Sequence, residues 1–288
     1  MIRSEVLVSA GARLGEGPLW DQANGDVVWV DIMAEQVLRT RLSGADLRRS
    51  SIGEPVGSLA ATADGGLVGA TPTGLRRLDR DGAPHVARFP ECRADLRAND
   101  GKAAPGGRFV VGTMSVGEPE LGAGSLWAFG PGQPSVLVAG TTISNGLAWS
   151  SDGSVMYFID TPTQQVVAFD HDIEAGTVGS PRPHVVVDPV VGAPDGMCID
   201  EEGGLWIALW GGCAVHRYLD GVLDAVVEVP TPLVTCPAFV GDDLSLLVVT
   251  TASLDAGGAD GAGDLYVVEP GVRGSPIPVL GTWAETWD

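Results

Sequence analysis

Six times along the chain a short apolar run meets a turn and then a second, β-branched run. The units are "GPLWDQANGDVVWVDI", "GSLAATADGGLVGAT", "GKAAPGGRFVVGTM", "GLAWSSDGSVMYFIDT", "GMCIDEEGGLWIAL" and "PAFVGDDLSLLVVTTA". Runs of this length broken by Asn-Gly, Asp-Gly or Gly-Gly read as antiparallel hairpins. The sixth turn, at Gly241, Asp242 and Asp243, carries the weakest signal. The turns recur roughly every 40–50 residues, the spacing of propeller blades. Each unit continues into another strand-like segment: "EQVLRTRL", "TGLRRLD", "GSLWAFG", "QQVVAFDHDIEAG", "CAVHRYL" and "GDLYVVEP". The expected fold is therefore all-β, a six-bladed propeller with four strands in each blade, forming one domain over residues 1–288.

Competing architectures fit less well. A single sandwich needs no six similar units, and a parallel α/β fold needs a helical period that the chain lacks. Forty-one glycines and 20 prolines suit many turns and few long helices. The strand-like "SEVLVSA" precedes the first unit, where it can complete the last blade and close the ring. Closure of this kind removes exposed sheet edges. The Gly/Asp-rich stretch "ASLDAGGADGAGDL" lacks the ligand spacing of a calcium hand and reads as a surface connection.

The openings of the units differ in a way that packing does not require. Glu16 stands before Gly17, Asn99 and Asp100 before Gly101, Asn145 before Gly146, and Asp195 before Gly196. The second and sixth units, opening with "PVGSL" and "TCPAF", offer no carboxylate. A residue just before the innermost strand of a blade sits at the mouth of the central channel. Glu16, Asn99, Asn145 and Asp195, far apart in sequence, thus converge there, and the asymmetry marks a site as well as a repeat. Any one of them alone is an ordinary turn residue. Together, Glu16 and Asp195 bring two negative charges, which a divalent cation relieves, and Asn145 adds a neutral oxygen. An all-oxygen set favours hard ions such as calcium, magnesium or manganese. Three protein ligands leave room for water and substrate.

Net charge and cysteine usage narrow the partners. A formal charge of −20 with a single lysine, Lys102, excludes a phosphate-binding surface, so no nucleic-acid partner is expected. No run approaches the roughly 20 apolar residues of a bilayer span, and the N-terminus has no apolar leader core, so no membrane partner is expected. Cys92, Cys198, Cys213 and Cys236 show no metal-type spacing. They read as buried reduced thiols in a cytoplasmic protein, with a disulfide between some pair left open. Neither a GxSxG elbow nor a Cys–His signature is present. His85, His171, His184 and His216 fall outside the core motifs and read as structural or exposed. Trp20, Trp149 and Trp206, at similar offsets after the opening glycines, read as packing between blades.

The motifs "GEGPLW", "RANDGK", "GTM", "SNGLAWS", "MYFIDT" and "PDGMCIDEEGGLWIA" resemble those of the senescence marker protein/gluconolactonase/regucalcin family, in order and at similar spacing. The resemblance runs from about Leu14 to about Ala252. It implies a six-bladed propeller with one divalent metal in the channel, held by Glu16, Asn145 and Asp195. Calcium comes first among candidates that include zinc, manganese and magnesium. Arg97 and Asn99 match the family's substrate-contacting pair, and an acidic contact after "GTM" falls on Glu118 or Glu120. The implied activity is hydrolysis of a sugar (aldono-)lactone to the aldonic acid, a step of carbohydrate metabolism. Asp195 would also serve as catalytic base for the attacking water. Asp100 reads as a turn residue or as a group standing behind the ligands. Other readings stay open: a non-catalytic calcium-binding regulator, a promiscuous phosphotriesterase-type hydrolase, and a propeller for protein interaction. The expected assembly is a monomer or a weak homo-oligomer.

Overall fold

A computed structural model describes residues 1–78, 85–90, 92–254 and 256–284. Six antiparallel sheets carry the repeat units, one to a blade. Their innermost strands are Gly15–Asp21, Ser58–Ala61, Leu96–Ala103, Ser144–Trp149, Ala193–Ile199 and Val234–Val240. In each blade the second strand pairs with the first across the predicted turn and the third with the second. The alternation is two-sided. Strands such as Asp26–Asp31 and Phe109–Ser115 are buried along their whole length because blades pack on both faces. Trp20, Trp149 and Trp206 are buried between blades, as the sequence suggests.

The ring closes as expected. Glu5–Val8 forms the outer strand of the sixth blade, pairing antiparallel with Leu265–Val268. Two features were not legible beforehand. Ile2–Arg3 pairs in parallel with Val222–Glu228, adding a fifth strand to the fifth blade. The C-terminal segment also crosses the end of the propeller opposite the channel mouth. It bridges Asp200 of the fifth blade at Gly274 and Thr62 of the second at Leu280. Both contacts lie where inner strands finish. The Leu280 and Gly281 amides donate to Ala61 O and Gly107 O at 2.8 and 2.9 Å.

The four cysteines are free, but only Cys198 and Cys236 are buried. Cys92 and Cys213 are exposed, correcting the expectation of four buried thiols. Cys92 lies in the connection between the second and third blades, and Cys213 occupies a turn with φ of 52°.

Leu280 is fully buried in a cluster that includes Ala60, Phe109 and Phe129. Leu280→Ala should therefore lower unfolding free energy by about 2–5 kcal/mol, the usual cost of emptying a leucine site. A urea titration checks this; a midpoint unchanged from wild type would mean that the tail is not part of the core.

Candidate active site

The inner strands are not regular where they meet the channel mouth. Pairing slips between Glu16 and Leu19, between Ala98 and Gly101, between Ser144 and Leu147, and between Pro194 and Met197. These interruptions coincide with the four oxygen-bearing positions. The sixth blade also slips, between Val234 and Cys236, without a carboxylate there, and the second pairs without a break from Ser58 to Ala61. A bulge inserts an extra residue and re-aims a side chain, so the irregularity is the local device that delivers each group. Glycine makes it feasible in two ways. Gly17 takes φ of 52°, where a side chain would be strained. Gly146 lies so close to the fifth blade that a Cβ would stand 2.7 Å from Asp195 O.

Glu16, Asn99, Asp100, Asn145 and Asp195 are all buried. A hydrogen-bonded chain joins three blades across the mouth. Arg97 Nη1 donates to Asn99 Oδ1 at 2.7 Å and to Ala98 O at 3.0 Å. Asn99 Nδ2 donates to Asn145 Oδ1 and to Ser144 O, both at 2.9 Å. Asn145 Nδ2 donates to Thr161 Oγ1 at 2.8 Å, and the Thr161 hydroxyl donates to Pro194 O, also at 2.8 Å. The chain ends one residue from Asp195. Sequence reasoning missed Thr161 as a participant, although it closes the quoted motif "MYFIDT". Its signal was a hydroxyl directly after the second strand of the fourth blade.

The carboxylates lack comparable support. The Gly17 amide donates to Glu16 Oε2 at 3.1 Å. Asp100 Oδ1 accepts from the Gly101 amide at 2.7 Å, while Asp100 Oδ2 and Ser58 Oγ are buried without a partner. Burial pushes the Glu16 carboxyl well above the usual range, with Asp195 and Asp100 adding to the shift; the Gly17 amide and Arg97 oppose it. Asp195 is raised well above its usual value for the same first reason, reinforced by Asp100 and opposed by the Gly196 amide and Arg97. Asp100 is raised by burial and eased by Lys102. Arg97 is lowered by burial although Glu16 and Asp195 both favour its charge. The Lys102 ammonium is committed to Met197 O at 2.6 Å. Negative charge is thus gathered where few cations answer it, and a polar acceptor stands unsatisfied beside it.

This donor set fits a hard divalent ion: two carboxylates with unfilled acceptor capacity and a neutral amide oxygen. Among the described residues, no three Asp, Glu, His or Cys side chains gather as a metal site, so any such centre must use an amide as well. Glu118 and Glu120 are exposed on the connection after Phe109–Ser115. No hydrogen bond or ion pair among the described residues joins either carboxylate to the buried group; the Glu120 amide donates to Ser115 Oγ at 3.2 Å. Three histidines lie elsewhere, and the side chain of the fourth, His85, is outside the described residues. His171 Nδ1 is 2.8 Å from Gly153 O, and His184 and His216 rest against Tyr157 and Tyr218.

Residues 14–253 match the family described as SMP-30/Gluconolactonase/LRE-like region. The chain belongs to that family. It is 36% identical to regucalcin of Xenopus laevis over 262 residues, covering 87% of each chain. Its fold is similar to that of a calcium-binding protein, regucalcin, from Agrobacterium tumefaciens, with TM-score 0.91 and 30% identity over 97% of this chain and 98% of that one. It is also similar to a gluconolactonase from Xanthomonas campestris, with TM-score 0.74 and 25% identity over 95% and 89% of the two chains. Family membership supports lactonase-type hydrolysis of a small molecule. No helix among the described residues is long and apolar enough to cross a membrane.

The raised Asp195 carboxyl has a thermodynamic consequence. Between its unfolded value and its higher folded value, the native state keeps a proton that the unfolded chain has lost. Stability therefore falls as pH rises through that window. Asn at this position cannot titrate and escapes the loss. Chelator-treated Asp195→Asn should melt above chelator-treated wild type at about pH 8, and the gap should close near pH 4. A gap independent of pH in differential scanning calorimetry would contradict the burial of an ionising group here.

Proposed function

We propose that the protein is a divalent-metal-dependent lactonase that hydrolyses a sugar (aldono-)lactone to the aldonic acid. The observation carrying this reading is the pair of buried, like-charged carboxylates, Glu16 and Asp195, set beside one amide oxygen and one guanidinium at a channel mouth. In this reading Glu16, Asn145 and Asp195 hold the ion. Calcium is the first candidate, in keeping with the calcium-binding regucalcin of similar fold; zinc, manganese and magnesium are the others. When bound, the ion supplies Lewis-acid charge where the lactone carbonyl gains negative character.

The chain's own groups do the rest. Asp195 takes a proton from the water that attacks the carbonyl carbon. The ring C–O bond breaks, and the proton is returned to the departing alcohol. Arg97 holds ring or hydroxyl oxygens through guanidinium edges not spent on Asn99 and Ala98. Asn99 is engaged on both sides, so it acts first by fixing Arg97 and Asn145 in place. Glu118, exposed on the connection after Phe109–Ser115, is the further substrate contact in this reading. Four free cysteines accord with a cytoplasmic setting, and one propeller suffices for the site.

The closing test is turnover of a panel of aldonolactones, followed with a pH indicator after reloading chelated protein with each metal. Glu16→Gln, Asn145→Ala and Asp195→Asn should each reduce kcat at least about 100-fold, in the range of a lost general base or ligand. Full activity in metal-free protein would overturn the reading. A calcium-binding regulator is the second reading, favoured by the likeness to the Agrobacterium protein. It requires tight calcium binding by calorimetry with no lactone turnover in any metal.

A further inference from the structure

Beside Arg97, at the same end of the propeller as the carboxylates, a recess of about 120 Å³ opens between the second and third blades. Arg97 belongs to both places: it lines the recess and also feels Glu16 and Asp195. In the lactonase reading, a substrate held by Arg97 with its carbonyl at the carboxylates extends toward this recess.

The lining is unequal in its chemistry. Phe89, Leu96 and Trp127 supply apolar surface, with Phe89 and Trp127 edge to face at 5.7 Å. The Thr113 hydroxyl has its proton committed: it donates to Ser125 O at 3.1 Å and accepts from the Ser125 amide at 2.9 Å. Arg93, at the exposed lip, is paired with Asp95 at 2.5 Å. Among the described residues the Ser125 hydroxyl has no hydrogen-bond partner. Ser125 and Trp127 share one face of Gly124–Phe129, since alternate residues of a strand point the same way. Ser125 is nearer the mouth and Trp127 lies deeper. Entering from Arg97, a ligand thus meets one available hydroxyl and then an aromatic wall.

A hexono-1,4-lactone carries a two-carbon tail with hydroxyls on both C5 and C6. Its 6-deoxy counterpart keeps the C5 hydroxyl and ends in a methyl group. We propose that this recess holds the exocyclic tail of the lactone and selects a 6-deoxyhexonolactone, with Ser125 serving the C5 hydroxyl and Phe89 and Trp127 enclosing the methyl. The inference rests on the lactonase reading for the orientation of the substrate. A terminal C6 hydroxyl would be buried against these rings without a partner, which carries a penalty of about tenfold or more in affinity.

The experiment compares L-rhamnono-1,4-lactone with L-mannono-1,4-lactone, which differ by that one oxygen, and L-fucono- with L-galactono-1,4-lactone. The expected result is a kcat/KM at least about tenfold higher for the deoxy member of each pair. Ala123→Phe, which places a ring in the recess, should bring the ratio to within about twofold of one. The ratio in the unmodified protein decides the matter, so a variant that fails to fold leaves the test intact. Binding of the matching 1,4-lactams, measured by calorimetry, separates the two readings. Deoxy-selective lactam binding without turnover of any lactone would retain the recess and remove the hydrolase. Lactone turnover with equal or greater kcat/KM for the hydroxymethyl members, or lactam binding that is equal or absent, would overturn the recess.

Discussion

The burial of like charges at the channel mouth is the constraint around which the rest of the site is arranged. Glu16 and Asp195 are withdrawn from water, and Asp100 stands close enough to raise the proton affinity of both. Carboxylates in such a setting either keep protons or gather cations. The chain provides Arg97 on one side and Lys102 on another, and both are partly committed to backbone oxygens. The resulting surplus of negative charge sets this end of the channel apart from the packed seams between sheets.

Delivering those groups takes a defect in an otherwise regular sheet. Five inner strands slip register near the mouth, four of them where Glu16, Asn99, Asn145 and Asp195 stand, while the second blade pairs without interruption. Regular pairing would keep these side chains between blades, where a charge has no place. The chain of hydrogen bonds from Arg97 through Asn99, Asn145 and Thr161 to Pro194 then locks the third, fourth and fifth blades together at the mouth. Amides and a hydroxyl, which carry no net charge, tie the frame without adding to the charge imbalance. The opposite end is spanned by the C-terminal segment, whose Leu280 and Ala284 are buried. One end of the channel is thus given to structure and the other to chemistry, with the recess beside Arg97 extending the chemical end toward the second blade.

The blade count, the hairpins and the closing strand Glu5–Val8 were determined by the sequence alone, because turn residues and β-branched runs act locally and repeat. The opening positions of Glu16, Asn99, Asn145 and Asp195 were legible for the same reason: each occupies the same offset in its unit. Sequence could not show that Asn99 spends its amide on Asn145 and Ser144, or that Thr161 completes the chain, since these contacts join residues 16 to 46 positions apart. Nor could it place Ile2–Arg3, the crossing tail, or the exposure of Cys92, Cys213 and Glu118. Those outcomes depend on which surfaces meet when the ring closes. Glu16 itself shows the division: its glycine-flanked position was written in the chain, but only the neighbouring blades, by burying it near Asp195 and Asp100, raised its affinity for a proton.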